Sequence, residues 1–525
     1  MALGKSPADI VASGDYPLLE ISPRWERVRL GEIATVQNGA PFSSEYFTHG
    51  EGMPLIRIRD VRRDSTENFY SGPYEDEFVV RKGDILIGMD GDFHAAIWKG
   101  PDGLLNQRVC RLTLTTKLYF REFLFLALQP YLNAINAETS SVTVKHLSSR
   151  TIADIPLPLP PLAEQKRIVA KIEELFSELE AGEESLRAAR RQLGVYRQSL
   201  LKQAFEGKLT EKWRAENPDK LESPAPLLAR IQAARQAYYE QQLKDWGCAI
   251  KVWSEVGQKG NRPRKPSEPM TLPSREFEGD ITRPDCWAID QIGNCPTDAL
   301  IGLVRSADEQ TAGPSGFSYI KMDRVDMQGN VDISPSVFVD CTPEEVERFA
   351  LKKGDILFNT RNSVELVGKV GIVRREPNSP TVYNNNLMRI RLPGCFDPVF
   401  VGLQLCAQPF RQRMDRIKKA TTSVAAVYAK DFWPLPLAIC SLPEQQEIVR
   451  LLDEQFEAIE RNEREIDAAL KRSEALRQAI LKKAFTGQLV PQDPVDEPAS
   501  TLLARIRAES AAAAPSSKVR RTRSA

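Results

Sequence analysis

The chain contains the same text twice. Leu162-Ala163-Glu164-Gln165 returns as Leu442-Pro443-Glu444-Gln445, and Lys202-Gln203-Ala204-Phe205-Glu206-Gly207-Lys208-Leu209 returns as Lys482-Lys483-Ala484-Phe485-Thr486-Gly487-Gln488-Leu489. Upstream of each, Lys82-Gly83-Asp84-Ile85-Leu86 is matched by Lys353-Gly354-Asp355-Ile356-Leu357, while the surrounding residues have diverged. A repeated frame carrying dissimilar surfaces describes two related units, a pseudo-twofold internal repeat, that meet two different targets.

At 525 residues the chain is longer than one core usually supports, in line with that duplication. Residues 1–24 read as a loose leader, and Trp25 opens the first globular unit (25–160) as Trp287 opens the second (287–440). In the first, β-type runs at 54–59, 78–80, 84–88 and 109–115 alternate with turns at Asn38-Gly39, Lys82-Gly83 and Asp90-Gly91, and a helix at 120–136 follows. The second repeats this order with strands at 319–322, 355–358, 369–374 and 387–392 and a helix at 398–417. The fold class is α+β, used twice. Each unit leaves through Pro-rich text, 155–161 and 433–436, which forbids helix and implies an extended connector.

Long helices are predicted next, at 161–207 and 441–487. Ser441 and Glu444 form a capping-box signature with Pro443 in the first turn, and Pro161 and Glu164 hold the matching places in the first copy. Gly207 and Gly487 supply the stops, with Lys202, Lys482 and Lys483 complementing the negative helix ends. Ile172, Leu179, Leu186, Leu193 and Leu200 recur at sevens, with Leu175, Gly182, Ala189 and Tyr196 as the second stripe position. In the second copy the pattern is Leu452, Ile459, Ile466 and Ile480 with Ala469 and Leu476. These heptads predict coiled-coil pairing, and helices of about 65 Å at about 1.5 Å per residue. They leave parallel and antiparallel pairing open. The 208–286 linker is expected to hold an additional helix (226–245) and a mobile basic loop (257–273). In the 488–525 tail, residues 511–525 are expected to be disordered.

Several function classes are poorly supplied. Lys+Arg and Asp+Glu both number 71, so bulk charge announces no nucleic-acid partner and any such binding must use local patches. No apolar run of about 18 residues and no signal-peptide pattern occurs, so a cytoplasmic protein is expected. Eight scattered cysteines lack a C-x-x-C pair and are read as reduced, and three histidines supply little for a metal site. There is no phosphate-binding Gly-Lys-Ser/Thr loop and no Asn/Asp-Pro-Pro-aromatic methyltransferase element. Asp154 with Glu164-Gln165-Lys166 imitates a nuclease metal site, but the intervening prolines exclude the strand pair it needs, and Glu444-Gln445-Gln446 lacks the lysine. The chain is expected to bind rather than catalyse, with no cofactor and no metal of its own.

Taken together, the paired units, the Lys-Gly-Asp-Ile-Leu phrases, the Pro-rich exits, the Leu-x-Glu-Gln helix starts and the Ala-Phe-x-Gly-x-Leu helix ends resemble the DNA specificity subunit of type I restriction-modification systems. That resemblance covers nearly the whole chain. It implies two target recognition domains, each reading half of a bipartite double-stranded DNA site, held apart by an antiparallel coiled coil of the two long helices. It also implies two modification subunits that methylate adenine with S-adenosylmethionine, and restriction subunits that use ATP and Mg. Residues 232–274 have no expected counterpart in the second half. The alternative from another class is a coiled-coil scaffold or adaptor that binds proteins rather than DNA.

Base readout needs Arg or Lys for guanine and Asn or Gln for adenine on groove-entering loops, while other cations grip phosphate. The first unit offers Asn38, Arg57 and Arg59 (expected on one face of a strand), Arg62, Arg63, the loop 90–94, Asn106, Gln107, Arg108, Lys145 and His146. The second offers Lys321, Arg324, Arg361, Asn362, Asn385 with its neighbours Asn384 and Asn386, Lys418, Lys419 and Lys430.

Overall fold

The computed structural model describes residues 5–139, 145–258, 261–273, 275, 277, 282–313, 316–421 and 424–513. They divide into two compact units that interleave the chain: Met1–Arg187 with Asp467–Ala525, and Ala188–Ile466.

In the first unit, strand Glu26–Arg29 pairs antiparallel with Pro156–Leu159, placing Arg27 opposite Pro158. The Pro-rich exit is therefore a strand. It tolerates two prolines because they alternate with Leu157 and Leu159, whose N–H groups remain for the ladder. The main sheet runs in the order Ala34–Asn38, Val109–Leu114, Ile85–Gly88, His94–Ile97, antiparallel throughout. A second sheet contains Met53–Ile56 and Gly103–Leu105 as a parallel pair. Helix Arg121–Glu138 lies by the main sheet, its Gln129 accepting the Ala95 N–H at 3.0 Å. One core joins the sheet residues Ile85, Ile87 and Leu112 to Phe123 and Leu128, to Ile168 and Ile172 of one long helix, and to Ile480 and Phe485 of the other. The expected leader is not loose from residue 5 onward: Pro7–Ala12 is a helix with a Ser6/Asp9 capping box, and Ile10 and Leu19 are buried in that core, while residues 1–4 lie outside the described residues.

The second unit repeats this frame. Ala288–Gln291 pairs with Pro436–Ile439, and its main sheet runs Asp298–Ile301, Leu387–Arg391, Ile356–Asn359, Val370–Ile372. Phe317–Ile320 and Thr381–Tyr383 form the parallel pair. The helix expected at 398–417 is two helices, Pro398–Cys406 and Gln408–Ile417, broken at Ala407, whose ψ of 143° is extended. Pro409 sits in the first turn of the second helix, where its missing N–H costs nothing. Pro130 of the first unit, in the same Gln-Pro pair, is carried inside an unbroken helix.

The repeated phrases are the joints of this frame. In Lys-Gly-Asp-Ile-Leu the aspartate closes a turn: Asp84 accepts the Arg81 N–H and Asp355 the Lys352 N–H, at 2.9 and 2.8 Å. Each also pairs with an arginine of the neighbouring strand, Arg111 or Arg391. In Leu-x-Glu-Gln, Glu164 Oε2 accepts the Trp25 indole N–H and Glu444 Oε2 that of Trp287, both at 3.0 Å. Gln165 accepts the Phe120 N–H and donates to the Pro160 carbonyl; Gln445 does the same with Asp397 and Cys440. Glu444 is thereby spent on Trp287, Thr210 and Arg214, and the expected capping box is not made: among the described residues the buried Ser441 hydroxyl has no hydrogen-bond partner. Gly207 and Gly487 end the long helices at φ of 73° and 69°. Each is followed by the paired backbone bonds of a Schellman stop, Gly207 to Ala204 with Lys208 to Gln203, and Gly487 to Ala484 with Gln488 to Lys483.

Helices Leu162–Phe205 and Leu442–Phe485 are 44 residues each. Within the first unit Arg477 stacks on Phe176 and pairs with Glu183, which also accepts from Ser473; within the second, Tyr196 donates to Gln455 and Arg197 lies 4.0 Å from the Phe456 ring. In the first unit one number falls as the other rises, from Phe176 with Arg477 to Glu183 with Ser473, so those segments run antiparallel. The residues at sevens lie on the stripe, with Ile172, Leu200, Leu452, Ile459, Ile466 and Ile480 buried and Leu175, Leu179, Leu186 and Leu193 partly buried. Leu476 does not: it is 49% exposed. The second stripe position lies four residues on rather than three, through Phe176, Glu183 and Arg197 on one helix and Phe456 and Arg477 on the other. Long stems bury while charged heads reach the rim, so charged residues there conceal a contact position. Tyr196 and Gly182, expected on the stripe, are exposed.

The repeat continues past the glycines. Leu227-Leu228-Ala229-Arg230-Ile231 answers Leu502-Leu503-Ala504-Arg505-Ile506, and Leu227, Ile231, Leu502 and Ile506 are all buried, each pair in its own unit's core. The second of these lies on helix Ala499–Ala513, so the tail is structured to there, and the rest of the expected disordered stretch lies outside the described residues. Helix Pro224–Glu255 extends beyond 226–245 at both ends. The loop expected to be mobile is tied where described: Pro263 accepts the Trp246 indole N–H, Met270 accepts from Arg235, and Leu272 donates to Asn294. Residues 259, 260 and 274 lie outside the described residues.

Candidate nucleic-acid interface

In each unit one end of the sheets gathers the loops that carry most of the candidate residues, and the same backbone bonds gather them. Asn106 donates its N–H to the Ile56 carbonyl as Asn384 does to Ile320. Met89 donates to Arg108 as Thr360 does to Asn386, and Leu147 to Met89 as Val427 does to Thr360. Gly39 and Gly302 donate to Val109 and Leu387 at 3.0 and 3.1 Å. Both must be glycine, since a Cβ at either would lie 2.2 Å from a carbonyl oxygen of the crossing strand. These bonds equate Arg57 with Lys321, Asp90 with Arg361, Asn106 to Arg108 with Asn384 to Asn386, and His146 with Ala426. The isolated bridge of Asp90 to His146 and the ladder pair Arg361 to Ala426 make the same equation.

Arg57 and Arg59 do not share a strand face. The strand ends at Ile56, and the Asp60 carboxylate accepts the Arg57 N–H at 2.9 Å to make a turn that carries Arg59, Arg62 and Arg63. Polar pairing of Asp60 with its own backbone outweighs the alternation of the sequence. The Arg57 guanidinium lies 4.8 Å from the Phe47 ring. Arg59, Arg62 and Arg63 are exposed, and among the described residues their guanidinium groups have no hydrogen bond or ion pair; the same holds for Arg361 and Lys430. Of the candidates named from the sequence, these five are the cations most available to an anion. Arg108 Nε forms an ion pair with Asp90 at 3.3 Å, and the other oxygen of that carboxylate meets His146 Nδ1 at 2.7 Å.

Other candidates are committed inside the protein. The Lys145 ammonium donates to the Asn136 carbonyl at 2.7 Å, Lys321 to Gln310 at 3.3 Å, and Lys418 to Val364 at 3.0 Å and Asp415 at 2.8 Å. Arg324 pairs with Asp332, and Asn362 bonds Asn359 at 3.0 Å. Asn38 donates to Ser149 at 3.3 Å. Asn385 is half-buried, and Gln107 and Lys419 are exposed, the latter 5.6 Å from the Tyr428 ring. Burial pushes the His94 imidazole, behind Arg62, below its ordinary value, so it adds no charge to this face near neutrality.

Two residues on this surface escaped the sequence. Arg150, exposed on helix Ser149–Ala153, stands where Lys430 stands on Ala429–Phe432, and repeating the spacing of the duplicated phrases from Lys430 would have found it. Tyr428, 46% exposed beside Lys419, carried no motif. Among the described residues no cluster of three or more His, Cys, Asp or Glu side chains is arranged to hold a metal ion.

Residues 23–186 match the family described as the type I restriction modification DNA specificity domain. Over 98% of its length, and 98% of the relative's, the chain is 32% identical to the EcoBI specificity subunit of Escherichia coli, a type I restriction enzyme component. The chain belongs to the family of type I restriction enzyme specificity subunits. The EcoKI specificity subunit of Escherichia coli K12 is 24% identical over 93% of this chain and 96% of its own. A solved structure from work on complex assembly and conformational transition of the type I R-M system superposes with a TM-score of 0.57 at 17% identity, covering 90% of this chain and all of that one, which shows a shared fold. A specificity subunit is the recognition component of its system, not a catalytic one. In this specificity subunit the family match covers the first globular unit and the start of the long helix that follows it, and the second globular unit carries the same backbone frame beneath different side chains.

Proposed function

We propose that the chain selects an asymmetric, bipartite double-stranded DNA site, with the head at 25–160 reading one half and the head at 287–440 the other. The observation that carries this is the pair of loop clusters built by equivalent backbone bonds and furnished with different side chains: Arg108 against Asn386, Asp90 against Arg361, His146 against Ala426. Conserved scaffolding with exchanged polar groups is what two readers of unlike base sequences require. The helices 161–207 and 441–487 set the spacing as an antiparallel coiled coil, with an unread spacer between half-sites. In this role the chain docks two modification subunits, which methylate adenine with S-adenosylmethionine, and restriction subunits, which use ATP and Mg, in the cytoplasm. No helix among the described residues is long and apolar enough to cross a membrane.

Duplex binding measured against salt tests it. Tight binding that requires both half-sites at one spacing, and weakens steeply as salt rises, is the expected result. Salt-independent binding to protein without DNA affinity would favour a scaffold and defeat the proposal.

A further inference from the structure

Resting on the DNA-recognition proposal, we infer that Arg108 reads a guanine in the half-site of the first unit, and that Asp90 is the residue that positions it. Three loops converge on Asp90. Its neighbour Met89 bonds the Arg108 carbonyl, Leu147 bonds Met89, and Asp90 itself bridges to His146. The carboxylate is mostly covered, 19% exposed, while the Arg108 and His146 side chains on either side are 54% and 50% exposed. One oxygen forms an ion pair with Arg108 Nε at 3.3 Å, and the other lies 2.7 Å from His146 Nδ1.

The geometry of the guanidinium selects the base. Its five N–H groups lie in a rigid plane, and pairing Nε with a carboxylate leaves the two terminal nitrogens of this half-exposed side chain as a fork. Among the described residues that fork has no partner. Guanine presents two acceptors, N7 and O6, to such a fork in the major groove; adenine presents one acceptor and one donor, and the donor would oppose an N–H. Lys145 does not compete for the carboxylate, being held by the Asn136 carbonyl. Asp90 is flanked by two cationic or donor groups, so its charge does not dominate the approach of DNA. The second unit lacks this device: the matching positions hold Arg361, Asn386 and Ala426, with no carboxylate among them. Its half-site should therefore be indifferent to substitutions at Arg108 or Asp90.

The test is selection from duplexes randomised in both half-sites, using the full chain with whatever subunits co-purify. The unaltered protein enriches guanine at a position that Arg108→Gln loses, by about tenfold or more, with the other positions, the second half-site and the spacer unchanged. Arg108→Lys, which keeps the charge without the fork, falls between. Asp90→Asn weakens guanine selectivity at that position while affinity for random duplex stays level or rises. If Arg108→Gln weakens all sequences equally, the residue grips phosphate and the inference fails; it fails also if Asp90→Asn leaves selectivity intact. If the unaltered chain enriches no sequence, the DNA-recognition proposal falls with it, whereas an unchanged profile in Arg108→Gln sinks the inference alone.

Discussion

Trp25 donates its indole N–H to Glu164 at 3.0 Å, tying the first residue of a head to the helix that leaves it. Trp25→Phe should strand a buried carboxylate and cost about 1–3 kcal/mol of stability, read by urea unfolding. Burial holds the Glu164 carboxyl above its ordinary range. A raised folded value means that, as pH climbs past about 4.5, the unfolded chain releases this proton first and stability falls. Glu164→Gln keeps an acceptor for Trp25 and removes the titration. Its stability relative to the unaltered protein should therefore improve as pH rises from 4 to 7; no change in that difference would contradict the assignment.

The two leucines that the heptad text puts on the second helix's stripe should behave unlike each other. Leu452 is fully buried in the core of its unit, and Leu452→Ala should cost about 2–5 kcal/mol. Leu476 is half exposed, and Leu476→Ala should fall within about 0.5 kcal/mol of the parent. Equal losses in thermal unfolding would restore the stripe first read from the sequence.

Arg59, Arg62 and Arg63 are exposed and their guanidinium groups bond nothing among the described residues, so replacing all three with serine should leave the fold intact. If they meet phosphate, the slope of log affinity against log salt should shrink by up to about 3. An unchanged slope would remove the turn from the DNA surface.

Spacing should follow helix length. The sequence alone matches residues 179–185 with 459–465, but Glu183 meets Ser473 and Arg477, so the facing heptads are 180–186 and 470–476. Deleting both removes about 10 Å, or about three base pairs, and should shorten the preferred spacer without altering either half-site. Altered half-sites with the old spacer would refute the helices as the measure.

The frame was legible because duplication marks it. Trp25 with Trp287, the Leu-x-Glu-Gln starts and the closing glycines each do one physical task, and each task is done twice. What stayed hidden was decided by context the letters do not carry. Asp60 turns the chain at Arg57 where alternation promised a strand; Ala407 breaks a helix that Pro130 leaves whole; Glu183, Arg197 and Arg477 occupy contact positions that their charge disguises. Among the candidate cations, Lys145, Arg324 and Lys418 are spent on the protein itself, and composition cannot tell a spent cation from a free one.

Each head enters and leaves through two strands hydrogen-bonded to each other, Glu26–Arg29 with Pro156–Leu159 and Ala288–Gln291 with Pro436–Ile439. Both cut points therefore lie side by side. Recombination between lineages at those flanks would exchange a whole head in one event and deliver a new target in a chain that still folds. A protein built this way would change its address by exchanging one module rather than by accumulating point substitutions.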